Sequence, residues 1–207
     1  MDSARTPTAF VVDDDESIRT LWRWLMESNG MAVRTFASAA EFIECYRDEP
    51  GCLVLDVRLP GMSGLELQEY LQRNGIAIPI VFTSAHGDIP TAVSAIKGGA
   101  VDFIQKPFSY REVLSIIEKA FQRDAEIRAH RLRQTLSAGR LAGLTERERA
   151  VLQRVIEGKP NKIIAAELDI SVKTVEYHRA KVMEKAGAHS LAELVLIAMQ
   201  QPRSGTS

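Results

Sequence analysis

The chain is predicted to begin as a doubly wound α/β domain on five parallel strands, then pass through one long helix into a small all-α module. Two observations carry this. In the first 120 residues, short β-rich runs alternate with helical patterns, as a parallel sheet with crossover helices requires. After residue 142 the helical patterns continue, but no strand signal remains. A third observation agrees. Residues 1–122 carry 11 Lys/Arg against 17 Asp/Glu, a charge of −6, whereas residues 123–207 carry 15 against 10, a charge of +5. Opposite signs suggest two modules, the second facing a polyanion.

The strand candidates are residues 9–12, 33–36, 52–55, 80–83 and 101–104. Three intervening helices open on capping boxes, Ser38 with Glu41, Ser63 with Glu66 and Ser109 with Glu112. In each, the Ser oxygen and the Glu carboxylate satisfy free N–H groups of the first turn. Asp15 and Asp88 can cap the other two. The fifth helix is expected from Arg111 to about Leu136, since no Gly or Pro interrupts it. Leu114, Ile117, Phe121, Ala125, Arg128 and Leu132 set its stripe, and ~26 residues span roughly 39 Å. That exceeds what a small domain needs, so the polar second half should project as a connector. Arg128 interrupts the stripe, which leaves coiled-coil pairing open. Residues 137–143 (SAGRLAG) read as a short hinge.

The remainder reads as four helices. Thr145 and Glu148 form a capping box for a helix through Val155, which Gly158 and Pro160 terminate. Asn161 is expected to cap a second helix ending near Leu168. Asp169, Ile170 and Ser171 make a tight connection, and Ser171 caps a third helix through about Lys185. Ser190 and Glu193 open the last. Helix, three-residue turn, helix is the helix-turn-helix arrangement.

Composition excludes several classes. The 45% hydrophobic content suffices for packed cores. No apolar run approaches the ~18 residues of a membrane span, and the first eight residues lack the pattern of a signal peptide. Cys45 and Cys52 read as reduced structural thiols of a cytoplasmic protein. Neither glycine-rich phosphate-loop pattern occurs, which argues against a nucleotide enzyme. His86, His130, His178 and His189 lack zinc-ligand spacing.

The chemistry concentrates at three strand ends. Asp13 and Asp14 end the first apolar run, Asp56 ends the third, and Lys106-Pro107 follows the fifth. A parallel sheet gathers these ends at one edge, where ligands bind. Three converging carboxylates repel one another unless a divalent cation lies between them. The Lys suggests an anionic group arriving beside it. This is the pattern of a site for Mg²⁺ and a phosphoryl group carried on a carboxylate. A hydroxyl nearby could come from Thr83 or Ser84, which alternation places on opposite faces.

Four stretches in order carry a family resemblance: residues 11–14 (VVDD), 55–64 (LDVRLPGMSG), 84–88 (SAHGD) and 103–108 (FIQKPF). Residues 1–122 resemble the receiver domain of two-component response regulators, a flavodoxin-like fold. Residues 142–207 resemble a LuxR-type helix-turn-helix DNA-binding domain, with residues 123–141 as helical linker and hinge. Within the FixJ/NarL family the chain resembles the FixJ/StyR branch in particular. The resemblance implies that Asp56 accepts a phosphoryl group from a sensor histidine kinase. It implies that Asp14 binds Mg²⁺ directly, Asp13 mainly through water, and Asp56 and the backbone carbonyl of Arg58 complete the protein ligands. Lys106, preceding a cis Pro, would pair with the phosphoryl oxygens. Ser84 would be the switch hydroxyl, and Phe103 the aromatic that turns inward with it. Gly61 and Gly64 supply the turn after the acceptor.

In such a helix-turn-helix the third helix of the module enters the major groove. Val172, Val175, Val182 and Ala186 should pack inward, while Lys173, Thr174, Glu176, Tyr177, Ala180 and Lys181 face out. Lys173, Arg179 and Lys181 suit phosphate contacts, and Glu176 and Tyr177 suit base contacts. His178 is expected to pack or to contact backbone. Leu191, Leu194, Val195 and Ala198 stripe the last helix, for domain core and for pairing of two such domains. The implied partners are a sensor kinase, double-stranded promoter DNA, RNA polymerase and, once phosphorylated, a second copy. The chain is not expected to be an enzyme beyond accepting, and catalysing the loss of, its own phosphoryl group. The competing reading is a phosphorelay or interaction module whose phosphorylation relieves an inhibited DNA-binding domain without dimerisation.

Overall fold

The computed structural model describes residues 6–85 and 89–199, with backbone alone at 137 and 138. Contacts divide the chain into two units, meeting between Arg128 and Ala129. The first contains β1 (Thr8–Val12), α1 (Glu16–Ser28), β2 (Ala32–Phe36), α2 (Ala39–Cys45), β3 (Gly51–Asp56), α3 (Gly64–Arg73), β4 (Ile80–Ser84), α4 (Ile89–Lys97) and β5 (Asp102–Gln105). α5 (Tyr110–Ala142) runs from it into the second unit, which holds α6 (Glu146–Ile156), α7 (Asn161–Leu168), α8 (Val172–Ala186) and α9 (Leu191–Met199).

The five strands are all parallel, in the order β2-β1-β3-β4-β5. Every residue of β3 is buried, as a central strand covered on both faces must be. One face packs Phe10, Leu53, Leu55 and Phe82 against Phe42, Leu67 and Leu71 of α2 and α3. The other packs Val11, Val54 and Val81 against Trp22 and Met26 of α1 and Val113 and Ile117 of α5. The chain order reverses direction between β1 and β3, and ligand crevices of doubly wound sheets form at such switch points.

The caps at Asp15 and Ser63 hold, and that at Ser38 holds with one adjustment. Asp15 accepts from the Ser17 amide at 2.8 Å, and Ser63 and Glu66 close a full capping box. Ser38 caps α2, but the Glu41 carboxylate reaches one residue further back, to the Ala37 amide. Asp88, together with His86 and Gly87, lies outside the described residues.

α5 departs from expectation. It is one continuous helix of 33 residues, so residues 137–142 continue it and only Gly143 falls in a turn. A single Gly inside a helix costs only ~1 kcal/mol, and burial of Leu141 at the far end draws the helix through. Its buried face is Val113, Ile116, Ile117 and Ala120, continued by Asp124. Leu114 and Phe121 are half-buried, while Ala125 and Leu132 are exposed. The stripe is therefore turned by about one residue, because a buried carboxylate carries it on.

The second unit packs Leu141, Leu144, Val151, Leu152, Val155, Ile164, Val175, Val182 and Leu194 into one core. Thr145 and Glu148 form a full box on α6. α7 is preceded by Pro160, with no side-chain cap. Asn161 is instead its first residue, and its side-chain Oδ1 accepts from Arg179 at 2.7 Å. Asp169 closes α7 in the left-handed region at φ +53, and Ser171 caps α8 through the Thr174 amide at 3.0 Å. Val172 is 41% exposed, not inward; it follows the cap, before the helix turns onto the core. On α9, Leu194 is buried, with Ile197 and Ala198 against the core, whereas Leu191 is 47% exposed. Cys52 is buried but Cys45 is exposed at the end of α2, so only the former is a packing thiol. Among the described residues no helix is long and apolar enough to cross a membrane.

Candidate functional site

Asp13 follows β1 and Asp56 ends β3, so the topology places both beside the switch point. Both are buried. Lys106, one residue past β5, donates to both: its Nζ lies 2.7 Å from Asp13 Oδ2 and 2.7 Å from Asp56 Oδ1. The remaining oxygens take backbone amides, Asp13 Oδ1 from Asp15 at 3.0 Å and Asp56 Oδ2 from Arg58 at 2.7 Å. Two hydrogen bonds stitch the flanking loops to β4: the Val57 amide donates to the Thr83 carbonyl at 3.0 Å, and the Lys106 amide to the Ser84 carbonyl at 2.8 Å. The Lys106–Pro107 bond is cis.

Burial pushes the Asp13 carboxyl above its ordinary value of 3.8; the hydrogen bond and charge of Lys106 oppose this, and the charge of Asp56 adds to it. Burial also works against the Lys106 ammonium, but the hydrogen bonds and charges of Asp13 and Asp56 outweigh it and hold its pKa above 10.5.

The expected convergence of three carboxylates takes a different form. Asp14 is exposed, and among the described residues no three acidic, His or Cys side chains come together as a metal-holding group. The ammonium of Lys106 satisfies the two buried carboxylates, so the third stays in water. The donors at this edge are nevertheless all oxygens, two buried and one open to solvent. That set suits a hard cation which retains part of its hydration. Gly61 adopts φ +80 in the following turn. Gly64 serves differently: a Cβ there would stand 2.3 Å from the Asp56 carbonyl oxygen, so β3 and α3 approach only because Gly64 has none.

Thr83 pairs in register with Asp56, and Ser84 with Gln105. Both hydroxyl residues are buried. By alternation Ser84 shares the sheet face of Phe82 and Phe103, whose rings stack with centroids 6.5 Å apart. An apolar cavity of about 370 Å³ opens beside Lys106, lined by Ile18, Leu21, Pro107, Phe108 and Tyr110.

On α8, Val175, Val182 and Ala186 are buried as expected. Lys173, Glu176, Tyr177 and Ala180 are exposed, with Tyr177 at 60%. Thr174 is half-buried beside Ser171. Arg179 is engaged by Asn161, and Lys181 pairs with Glu184 at 2.7 Å. His178 is half-buried, and its Nδ1 has no partner among the described residues. Two polar residues escaped sequence reasoning. Gln68, 4% exposed, donates to the Ala95 and Gly98 carbonyls and ties α3 to the end of α4. Asp124 pairs with Arg128 on α5. A polar residue at a stripe position was the only available signal for either.

Comparison with known proteins gives the same two halves. Residues 9–118 match the response regulator receiver domain family, and residues 142–198 match the luxR family of bacterial regulatory proteins. The chain is 42% identical to the transcriptional regulatory protein FixJ of Azorhizobium caulinodans over 190 residues, 91% of this chain and 90% of that protein. It is 42% identical to the response regulator protein TodT of Pseudomonas putida over 196 residues, 94% of this chain and 86% of that one. The solved structure of the response regulator StyR matches with a TM-score of 0.80 at 48% identity, covering 95% of this chain and all of that one. The chain belongs to the two-component response regulators that join a receiver domain to a LuxR-type DNA-binding domain, and it acts as a transcriptional regulator.

Proposed function

We propose that Asp56 is the phosphoacceptor and that its phosphorylation pairs two chains on promoter DNA. The observation that carries this is the buried bridge of Lys106 to Asp13 and Asp56, each at 2.7 Å, at the switch point of the sheet. An Asp56 oxygen attacks the phosphorus of a phosphohistidine on the sensor kinase. The new O–P bond forms as the N–P bond breaks, and the electron pair returns to the imidazole nitrogen, which takes up a proton. Lys106 is already paired with Asp56 and is placed to turn to the incoming phosphoryl oxygens. The apolar cavity beside it offers a seat for the kinase.

Receiver domains typically use Mg²⁺, and here Asp14, Asp13, Asp56 and the carbonyl of Arg58 would hold it. Bound there, the ion neutralises charge on the carboxylate and the phosphoryl oxygens. Ser84 supplies the switch hydroxyl and Phe103, on the same sheet face, follows it. The change at α4, β5 and α5 favours a homodimer, which sets two α8 helices on half-sites about one helical turn apart. Lys173 and Lys181 then contact phosphates, with Arg179 once released from Asn161; Thr174, Glu176 and Tyr177 face the groove. RNA polymerase is the further partner, and the cytoplasm, where DNA and polymerase reside, the location.

Sedimentation of the full chain with Mg²⁺, with and without beryllofluoride as a phosphoryl mimic, tests the pairing. A monomer converting to a dimer on activation supports it. An activated monomer that nevertheless binds DNA more tightly would replace it with release of an inhibited DNA-binding domain.

A further inference from the structure

Past Ala120 the buried face of α5 turns polar. Asp124 is only 2% exposed, and both its oxygens are engaged. Oδ2 accepts from the Gly51 amide at 2.9 Å. Nε of Arg128 donates to Oδ1 at 3.0 Å and to Oδ2 at 2.8 Å. The rest of the guanidinium leaves the helix. Nη1 donates to the Asp48 carbonyl at 2.9 Å, and Nη2 to the Glu49 carbonyl at 2.7 Å; Nη2 also pairs with the Asp48 carboxylate at 3.2 Å. The planar fork of Arg suits several fixed acceptors at once, and Lys could not match it.

The receiving loop is itself fixed. Gly51 has φ +149, and a Cβ there would stand 1.9 Å from the Thr8 carbonyl oxygen. The Tyr46 hydroxyl donates to the Glu49 carbonyl at 3.1 Å. Gly51 begins β3 and Asp56 ends it, so this loop lies at the sheet edge opposite the phosphoacceptor. Apolar anchoring of α5 in the first unit ends at the half-buried Phe121, and the next buried described residue after Asp124 is Leu141. Between them Leu132 and Leu136 are 60% and 52% exposed. Without a polar hold, the helix would be free to fray beyond Phe121. With it, about two further turns, roughly 11 Å, stay on the sheet.

We propose that Asp124 and Arg128 form the joint through which the receiver passes its activation state to the connector. The amino end of α5 follows Lys106 through the short loop after β5, while Asp124 and Arg128, midway along the helix, are clasped at the opposite sheet edge. A helix held at both edges cannot absorb a shift at the active edge by local fraying. The shift passes as tilt or rotation into residue 129 and beyond. Asp124 and Arg128 are thus positioning residues for signal transmission. This rests on the phosphorylation reading above.

Hydrogen exchange on the full chain tests it, using wild type, Arg128→Met and Arg128→Lys, in Mg²⁺ with and without beryllofluoride. Without the activator, amides 121–128 of Arg128→Met should exchange roughly a hundredfold faster, the factor that ~2.7 kcal/mol provides, while amides 113–120 stay as in wild type. On activation, wild type should respond both in residues 57–63 and in residues 129–136. Arg128→Met should keep the first response and lose the second. Should Arg128→Met lose protection at 113–120, and so its fold, Arg128→Lys carries the same comparison. A connector response that survives in the variant overturns the joint, as does a wild type that responds at residues 57–63 and not in the connector. No response at residues 57–63 in wild type would instead remove Asp56 as acceptor, and the joint's role with it.

Discussion

Lys106 Nζ lies 2.7 Å from Asp56 Oδ1, joining side chains 50 residues apart in the chain. The same nitrogen holds Asp13 at 2.7 Å, so one ammonium bridges two carboxylates at this end of the sheet. Removing one partner of such a buried set costs ~3 kcal/mol or more, because uncompensated charge remains. Lys106→Met should therefore lower the stability of the first domain by about that much in metal-free buffer, and added Mg²⁺ should recover part of it. Urea unfolding followed by Trp22, which is buried against Phe108 at 5.4 Å, would measure this. An unchanged midpoint would mean that the carboxylates do not depend on Lys106.

Mg²⁺ affinity should respond differently at the two adjacent acids. Asp14 is exposed and free to ligate directly, whereas Asp13 is already committed to Lys106 and the Asp15 amide. Asp14→Ala should weaken Mg²⁺ binding more than Asp13→Ala does in a tryptophan fluorescence titration. Equal affinities for wild type and both variants would remove the assignment.

In the second domain the acid limb of stability should run through Glu148. The hydrogen bond from Lys185 Nζ at 2.6 Å, then that from the Thr145 amide, depresses its pKa below the ordinary 4.5. A depressed carboxyl contributes stability that is present above the unfolded value and lost as pH falls through the folded one. Protection of α6 amides in the full chain should accordingly drop below about pH 4.5. Glu148→Gln should flatten that limb. An acid limb identical in both proteins would assign it to other carboxylates.

Contacts to DNA should separate by type. Lys173→Ala should weaken binding to all sequences and reduce the salt slope by about one, as loss of a phosphate contact does. Glu176→Ala should instead relax preference at one base pair, by ~1–3 kcal/mol. Binding to a panel of single-base operator variants at several salt concentrations distinguishes the two. A uniform loss for Glu176→Ala would move it to the phosphate class.

Where periodicity and caps reported on local energetics, the sequence was legible. β3 is six buried residues and read as one apolar run, and Ser63 with Glu66 and Thr145 with Glu148 cap as their spacing implies. Long-range polar pairing was not legible. Arg128 looked like a break in an apolar stripe and Asp124 drew no notice, because their partners lie far back in the chain, at residues 48–51. Asn161 suits an N-cap by type, yet it sits one position inside α7 and serves Arg179. At the carboxyl ends of β1, β3 and β5, residue types pointed to a cluster, and Asp13, Asp56 and Lys106 do meet. They did not reveal that Lys106 would take two carboxylates and leave Asp14 in water, since that depends on which charges the fold buries.

The role of Asp56 is tested most directly by intact mass and peptide mapping after incubation with acetyl phosphate and Mg²⁺. Wild type should gain a single acid-labile phosphate on the peptide containing Asp56. Asp56→Asn, which keeps the shape but removes the nucleophile, should gain none while retaining its fold. A full phosphate adduct on the Asn variant would place the acceptor elsewhere and contradict the account.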